Sequence, residues 1–181
     1  MTQEEYQNVK ESYLTHIKNY MKRTGGLFPH ITILADHIDK EEDSKPAVIH
    51  IPIPDEFMDS DEGKDQFVDE LLPEVIKTVK EKFIPYAIAW SSEAWMRTAD
   101  KDFDFQKDDY KLLPKKEVLF LSIESKDREE TYIYEINRIG MKVTDDGDLC
   151  DDIELTEIKE FGNPEHTQGR FSGLYKKLIN D

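Results

Sequence analysis

A chain of 181 residues with 38% hydrophobic and 35% charged side chains is long enough to bury one core, and no linker-like stretch divides it, so a single domain is expected. Lys and Arg number 24 against 40 Asp and Glu, a net charge of −16, which disfavours direct binding to a nucleic-acid backbone or an anionic membrane surface and leaves basic proteins, cations or small molecules as partners. Cys150 is the only cysteine, the start Met1-Thr2-Gln3-Glu4-Glu5 lacks the basic-then-apolar pattern of a secretory signal, and no apolar run approaches the roughly 20 residues of a membrane span, so a cytoplasmic protein without an internal disulfide is expected.

In chain order, residues 2 to 24 read as an amphipathic helix. Thr2 and Glu5 have capping-box spacing, Tyr6, Val9, Tyr13, Ile17 and Tyr20 recur every three or four positions, and Gly25-Gly26 ends the run. Residues 27–36 then read as a strand, residues 37–45 as an acidic turn and residues 47–53 as a second strand, together a hairpin. Ile49, Ile51 and Ile53 share one face of that second strand and His50, Pro52 and Pro54 the other; prolines cannot donate to a ladder, so the strand belongs at a sheet edge. From Asp36 to Asp65 eleven acidic residues stand against three lysines, the most charge-biased stretch of the chain.

Ser60 is placed to cap a helix reaching Lys82, with Phe67, Leu71, Val75 and Val79 four apart. Pro73 either kinks this helix or starts a second one. Residues 84–97 hold both tryptophans and should be the central strand: Ile84, Tyr86, Ile88 and Trp90 alternate with the small Ala87, Ala89 and Ser91, a face suited to close approach by a helix. In a regular strand Trp90 and Trp95 point to opposite faces, whereas a bulge at Ser91-Ser92 would bring them together.

After it, residues 99–114 form an acidic connection containing Phe103 and Phe105. Residues 117–123 alternate with apolar side chains on both faces and pair, through the polar turn 125–130, with a strand at 131–138. Gly140 is expected to break that strand, and 145–152 to be acidic turn chemistry. The C-terminal segment 145–181 ends in a helix at 170–180 with an apolar stripe of Phe171, Leu174, Tyr175, Leu178 and Ile179.

Few residues point to chemistry. Asp145-Asp146-Gly147-Asp148 lacks the glycine and glutamate spacing of a twelve-residue calcium loop, and the five histidines and one thiol have no metal-ligand spacing, so no metal and no cofactor are expected. His30-Ile31-Thr32 has the His-x-Thr shape of a phosphoesterase strand, where imidazole moves the proton and hydroxyl holds phosphate. The second such unit is missing, because His166-Thr167 has the wrong spacing and His50 is followed by Ile-Pro. Glu93, Trp95 and Arg97 share one face at the end of the central strand. They are either a pocket floor or a structural cluster in which Glu93 pairs with Arg97 or Arg138.

Phe28-Pro29-His30, Ile51-Pro52-Ile53-Pro54, Trp90-Ser91-Ser92-Glu93-Ala94-Trp95-Met96 and the hairpin from Leu113 to Arg138 resemble a loose group of small uncharacterised proteins of bacteria and their phages that share a strand ending Ser-Glu-Ala-Trp. The resemblance covers residues 28–138 and implies an α+β domain with no implied activity. The expected fold is one α+β domain, a mostly antiparallel sheet of five or six strands with three helices (2–24, 60–82 and 170–180) mainly on one face. Three functions fit: a non-enzymatic, acidic protein-protein interaction module that docks a basic partner or mimics nucleic acid; a small phosphodiesterase or other hydrolase centred on His30 and Thr32; and a structural subunit with a homo-oligomer interface.

Overall fold

The computed structural model describes residues 2–39, 45–99, 102, 104, 107, 109–143, 147, 149–158, 171 and 173–179. Six strands, β1 (His30–His37), β2 (Ala47–Pro52), β3 (Phe83–Arg97), β4 (Lys115–Ser125), β5 (Arg128–Val143) and β6 (Leu149–Glu157), form one antiparallel sheet in the order β2-β1-β3-β4-β5-β6. The sheet curls into a half-barrel. The two-tryptophan segment is interior, with β1 on one side and β4 on the other, and the proline-bearing β2 is an edge strand, as its missing donors require.

Two bulges help bend the long strands. The β1–β3 ladder slips between Leu34 and Ala35, leaving Tyr86 unpaired, and the β5–β6 ladder slips between Arg138 and Gly140. The first slip takes Ile84 out of the predicted stripe: it pairs with Asp36 and is 57% exposed. No slip occurs at Ser91-Ser92, so Trp90 faces the core cluster around Ile88 while Trp95, on the other face, is 65% exposed. The second slip corrects the expected break at Gly140. Ile139 is the residue left unpaired, Gly140 beside it takes φ 149° and pairs with Asp152, and the strand runs on to Val143.

The β4–β5 turn is also tighter than expected, because Ser125 pairs with Arg128 and leaves only Lys126-Asp127 as the loop. Residues 149–152, expected as part of an acidic turn, lie in β6. Asp145, Asp146, Asp148, Phe103, Phe105, His166 and Thr167 lie outside the described residues.

Helix α1 (Gln3–Thr24) starts at the expected capping box, with Glu5 N–H donating to Thr2 Oγ1 at 3.2 Å and Thr2 N–H to Glu5 Oε2 at 2.6 Å. It stops at Gly25, whose left-handed φ of 77° suits glycine. Its buried stripe of Tyr6, Tyr13, Ile17 and Met21 packs with Ala89, Leu119, Leu121, Ile123, Tyr134 and Ile153.

The other helices pack on the opposite face. These are α2 (Asp55–Met58), α3 (Asp61–Gln66), a π-helical turn (Phe67–Leu71), α4 (Leu72–Lys80) and α5 (Leu174–Leu178). Phe67, Val68, Leu72, Ile76, Val79, Leu174 and Leu178 bury against Ile31, Ile33, Ile51 and Ile88. The expectation of helices mainly on one face is therefore corrected. β4 offers Leu119, Leu121 and Ile123 to α1 and the other face of the sheet is apolar too, so both faces must be covered. The predicted helix 60–82 is interrupted before Pro73: Leu72 N–H reaches five residues back to Phe67 O, and Pro73 then sits in the first turn of α4, where its missing N–H costs nothing.

Helix α5 is held by a buried acid. Glu124 is 3% exposed and accepts the Tyr175 N–H at 2.8 Å, and Phe171 stacks on Trp90 with ring centroids 5.0 Å apart.

Candidate functional site

Strand parity and ladder register bring scattered residues together at the β2–β1–β3 side of the α1 face. Thr32 pairs with His50 across the hairpin, and His30 pairs with Ser91 of β3. All four therefore project toward α1, which adds Tyr13, His16 and Tyr20. His16, Tyr20, Leu27, Phe28, His30, His50 and Pro52 line a cleft of about 350 Å³. Its walls are mostly hydrocarbon and aromatic, its polar groups are imidazoles and one phenol, and among the described residues no lysine or arginine lines it.

Beneath the cleft lies a chain of hydrogen bonds. His50 Nδ1 is 2.9 Å from Thr32 Oγ1, Thr32 Oγ1 is 2.9 Å from Tyr13 Oη, and Tyr13 Oη is 2.9 Å from His30 Nε2. His30 Nδ1 is 3.0 Å from Phe28 O, and Ser91 Oγ lies 3.2 Å from Tyr13 Oη, 3.3 Å from His30 Nε2 and 3.4 Å from His30 Nδ1.

Counting protons gives this chain a direction. A carbonyl only accepts, so His30 Nδ1 carries a proton. Burial, the largest influence, lowers the His30 pKa from the ordinary 6.5 and favours the neutral ring, whose Nε2 accepts from the nearer hydroxyl, Tyr13 at 2.9 Å against Ser91 at 3.3 Å. That phenol then has only lone pairs to offer, so the Thr32 hydroxyl donates to it and accepts in turn from His50 Nδ1–H. His50 is left with an unprotonated Nε2, which has no hydrogen-bond partner among the described residues. Thr32 and Ser91 are fully buried and Tyr13 is 5% exposed, so the hydroxyls are supports and not accessible nucleophiles.

His16 stacks on His50 with centroids 4.7 Å apart and planes 9° from parallel, while His30 meets His50 edge-on at 5.7 Å. The His50 pKa is lowered by burial first, then by repulsion from His16 and His30. A neutral, proton-accepting imidazole at the wall of an apolar cleft is the result.

The other predicted trio lies apart from this cleft. Glu93, Trp95 and Arg97 do share a face, but Arg97 Nη1 donates to Lys111 O at 2.6 Å and to Leu113 O, and exposed Trp95 has Lys115 Nζ 5.7 Å from its ring centroid. Glu93 accepts the Leu27 N–H at 2.8 Å and lies 3.7 Å from Arg138. Arg138 also forks onto Glu117 at 2.7 and 3.0 Å, and meets Asp151 at 3.0 Å and Gly25 O at 2.8 Å. The cluster clamps the end of α1 to the sheet. Burial raises the Glu93 pKa, against the Leu27 N–H and Arg138, which lower it.

Sequence reasoning reached His30 and Thr32 but set His50 aside for lack of a His-x-Thr repeat. The signal that could have found it was parity. His30 and Thr32 share one face of a hairpin whose second strand puts His50 and Pro52 on a common face, and a register pairing 32 with 50 joins them. Nothing in the α1 pattern singles out Tyr13 from the other core tyrosines. Among the described residues no group of three or more His, Cys, Asp or Glu is placed to hold a metal ion. Compared with known protein families, with curated proteins and with solved structures, the chain matches none.

Proposed function

We propose that this chain binds a small, uncharged, largely apolar molecule in the cleft between α1 and the β1–β2 hairpin and performs hydrolase-type acid–base chemistry on it. His50 is the base. The observation that carries this is the hydrogen-bond chain that occupies both nitrogens of His30 and leaves Nε2 of His50 without a partner among the described residues. The hydrolase expectation is thereby moved from His30 to its neighbour across the hairpin. A phosphodiester substrate fits poorly, because among the described residues the lining supplies no lysine or arginine for the phosphate oxygens. A neutral ester fits the apolar walls: water at Nε2 gives its proton to the imidazole as its oxygen attacks the acyl carbon, and the departing alkoxide takes that proton back.

The test is a panel of uncharged aryl and alkyl esters. Turnover should rise with pH through a value below 6.5 and then level, and His50→Ala should lower kcat by about 10²- to 10⁴-fold, the usual size of general-base catalysis. Equal turnover by His50→Ala and wild type would remove His50 from the mechanism.

A second reading rests on a different surface. From Asp55 to Glu81 every aspartate and glutamate is exposed, which supports docking of a basic protein on the α2–α4 side. Capture of a basic partner that is insensitive to salt would count against it.

A further inference from the structure

The cleft shows His50 as a base only if its proton sits on Nδ1, and an isolated imidazole has no strong reason to put it there. We infer that Tyr13, a residue of α1 that does not line the cleft, sets the tautomer of His50 through Thr32. The inference rests on the reading of His50 as the base of the cleft, and its test needs no substrate.

A phenol has one proton, and Tyr13 gives it to His30 Nε2 because His30 Nδ1 is committed to the Phe28 carbonyl. Tyr13 Oη is thereby an acceptor toward Thr32, so the Thr32 hydroxyl proton is drawn away from β2 and the Thr32 lone pairs face His50 Nδ1. All three links are 2.9 Å, and Thr32 is fully buried, so water cannot substitute for a missing partner. Replacing Tyr13 with Phe removes that acceptor and keeps the ring. The buried Thr32 hydroxyl is then left with His50 Nδ1 as its partner; it turns and donates, and the His50 proton moves to Nε2. One lost oxygen, two hydrogen bonds from His50, blocks the base without touching it. Ser91 Oγ lies 3.2 Å from Tyr13 Oη and 3.3 Å from His30 Nε2, both longer than the 2.9 Å Tyr13–His30 link, so Ser91→Ala removes the weaker contacts and leaves the direction of the chain unchanged.

The titratable groups facing the pair are Tyr13, His16 and Tyr20 from α1, His30 from β1 and His50 from β2. The pKa values of His30 and His50 are both lowered, so in a measurement at alkaline pH a tautomer change in His50 cannot be confused with a change of charge.

The experiment is two-bond ¹H–¹⁵N correlation NMR on the whole chain with ¹⁵N-labelled histidine at pH 8.5, the rings assigned by His16→Ala, His30→Ala and His50→Ala spectra. Wild-type His50 should show the pattern of a protonated Nδ1 and bare Nε2. Tyr13→Phe should show the reverse, and Ser91→Ala should match wild type. A wild-type His50 protonated at Nε2 overturns the inference by itself, whether or not the variants fold; so does a Tyr13→Phe spectrum with His50 unchanged. If the tautomer switches but no ester is turned over, the role of Tyr13 stands and the hydrolase reading falls.

Discussion

Glu124 carries the sharpest prediction about stability. Its carboxyl is 3% exposed on the face of the sheet opposite α1, and although it accepts N–H groups at the start of α5, burial outweighs them and raises its pKa from the ordinary 4.5 to about 7. The folded state therefore binds this proton more tightly than the unfolded state does. The stability it contributes is fully present below pH 4.5 and is lost as pH rises through about 7. At about 1.4 kcal/mol per pKa unit the full effect is on the order of 3 kcal/mol. Between pH 5.5 and 8.5, a window that stays above the sequence pI of 4.7, about 2 kcal/mol of it is accessible by linkage. Glu124→Gln keeps the shape of the protonated acid and cannot ionise, so the other titrating groups cancel in the difference between the two proteins. Urea unfolding followed by tryptophan fluorescence should show the variant gaining about 2 kcal/mol on wild type from pH 5.5 to 8.5. Trp90, stacked on Phe171, reports directly on docking of the C-terminal segment. A stability difference that stays flat with pH would refute the reasoning, because it would mean that Glu124 has the same proton affinity folded and unfolded.

Two further outcomes follow from the charged clusters. Arg138→Ala removes the fork to Glu117 and the bonds to Asp151 and Gly25 O, and it should cost about 2 kcal/mol in urea unfolding and raise the Glu93 pKa further; Arg138→Lys should recover under half of that cost, since an ammonium cannot span both Glu117 oxygens. His16→Ala should raise the pKa of His50, because the stacked ring now repels its proton, and should move the acid limb of any ester-hydrolysis profile toward higher pH; NMR titration of His50 reads this directly.

Much of the architecture was written in local pattern. The capping box at Thr2, the stop at Gly25, the proline-marked edge strand and the small-residue face of β3 depend on interactions within a few residues or on side-chain parity, and the structure shows each of them. What local pattern could not supply was registration. Whether the strand ended at Gly140 or bulged beside it depended on which residues of β6 lay opposite, and whether the helices shared a face depended on how both sides of a strand as apolar as β4 were to be covered.

The candidate site shows the same division. By itself the sequence determined that His30 and Thr32 project from one side of a strand, that His50 and Pro52 do so from another, and that α1 carries Tyr13 on its buried stripe, because strand and helix periodicity are properties of the backbone. Only the tertiary structure decided that position 32 lies against position 50, that the phenol of Tyr13 stands between Thr32 and His30, and hence that the bare imidazole nitrogen belongs to His50. Such juxtapositions arise from ladder register and helix docking, which are set by the packing of the whole core, and proton placement along a hydrogen-bonded chain is decided by its far end.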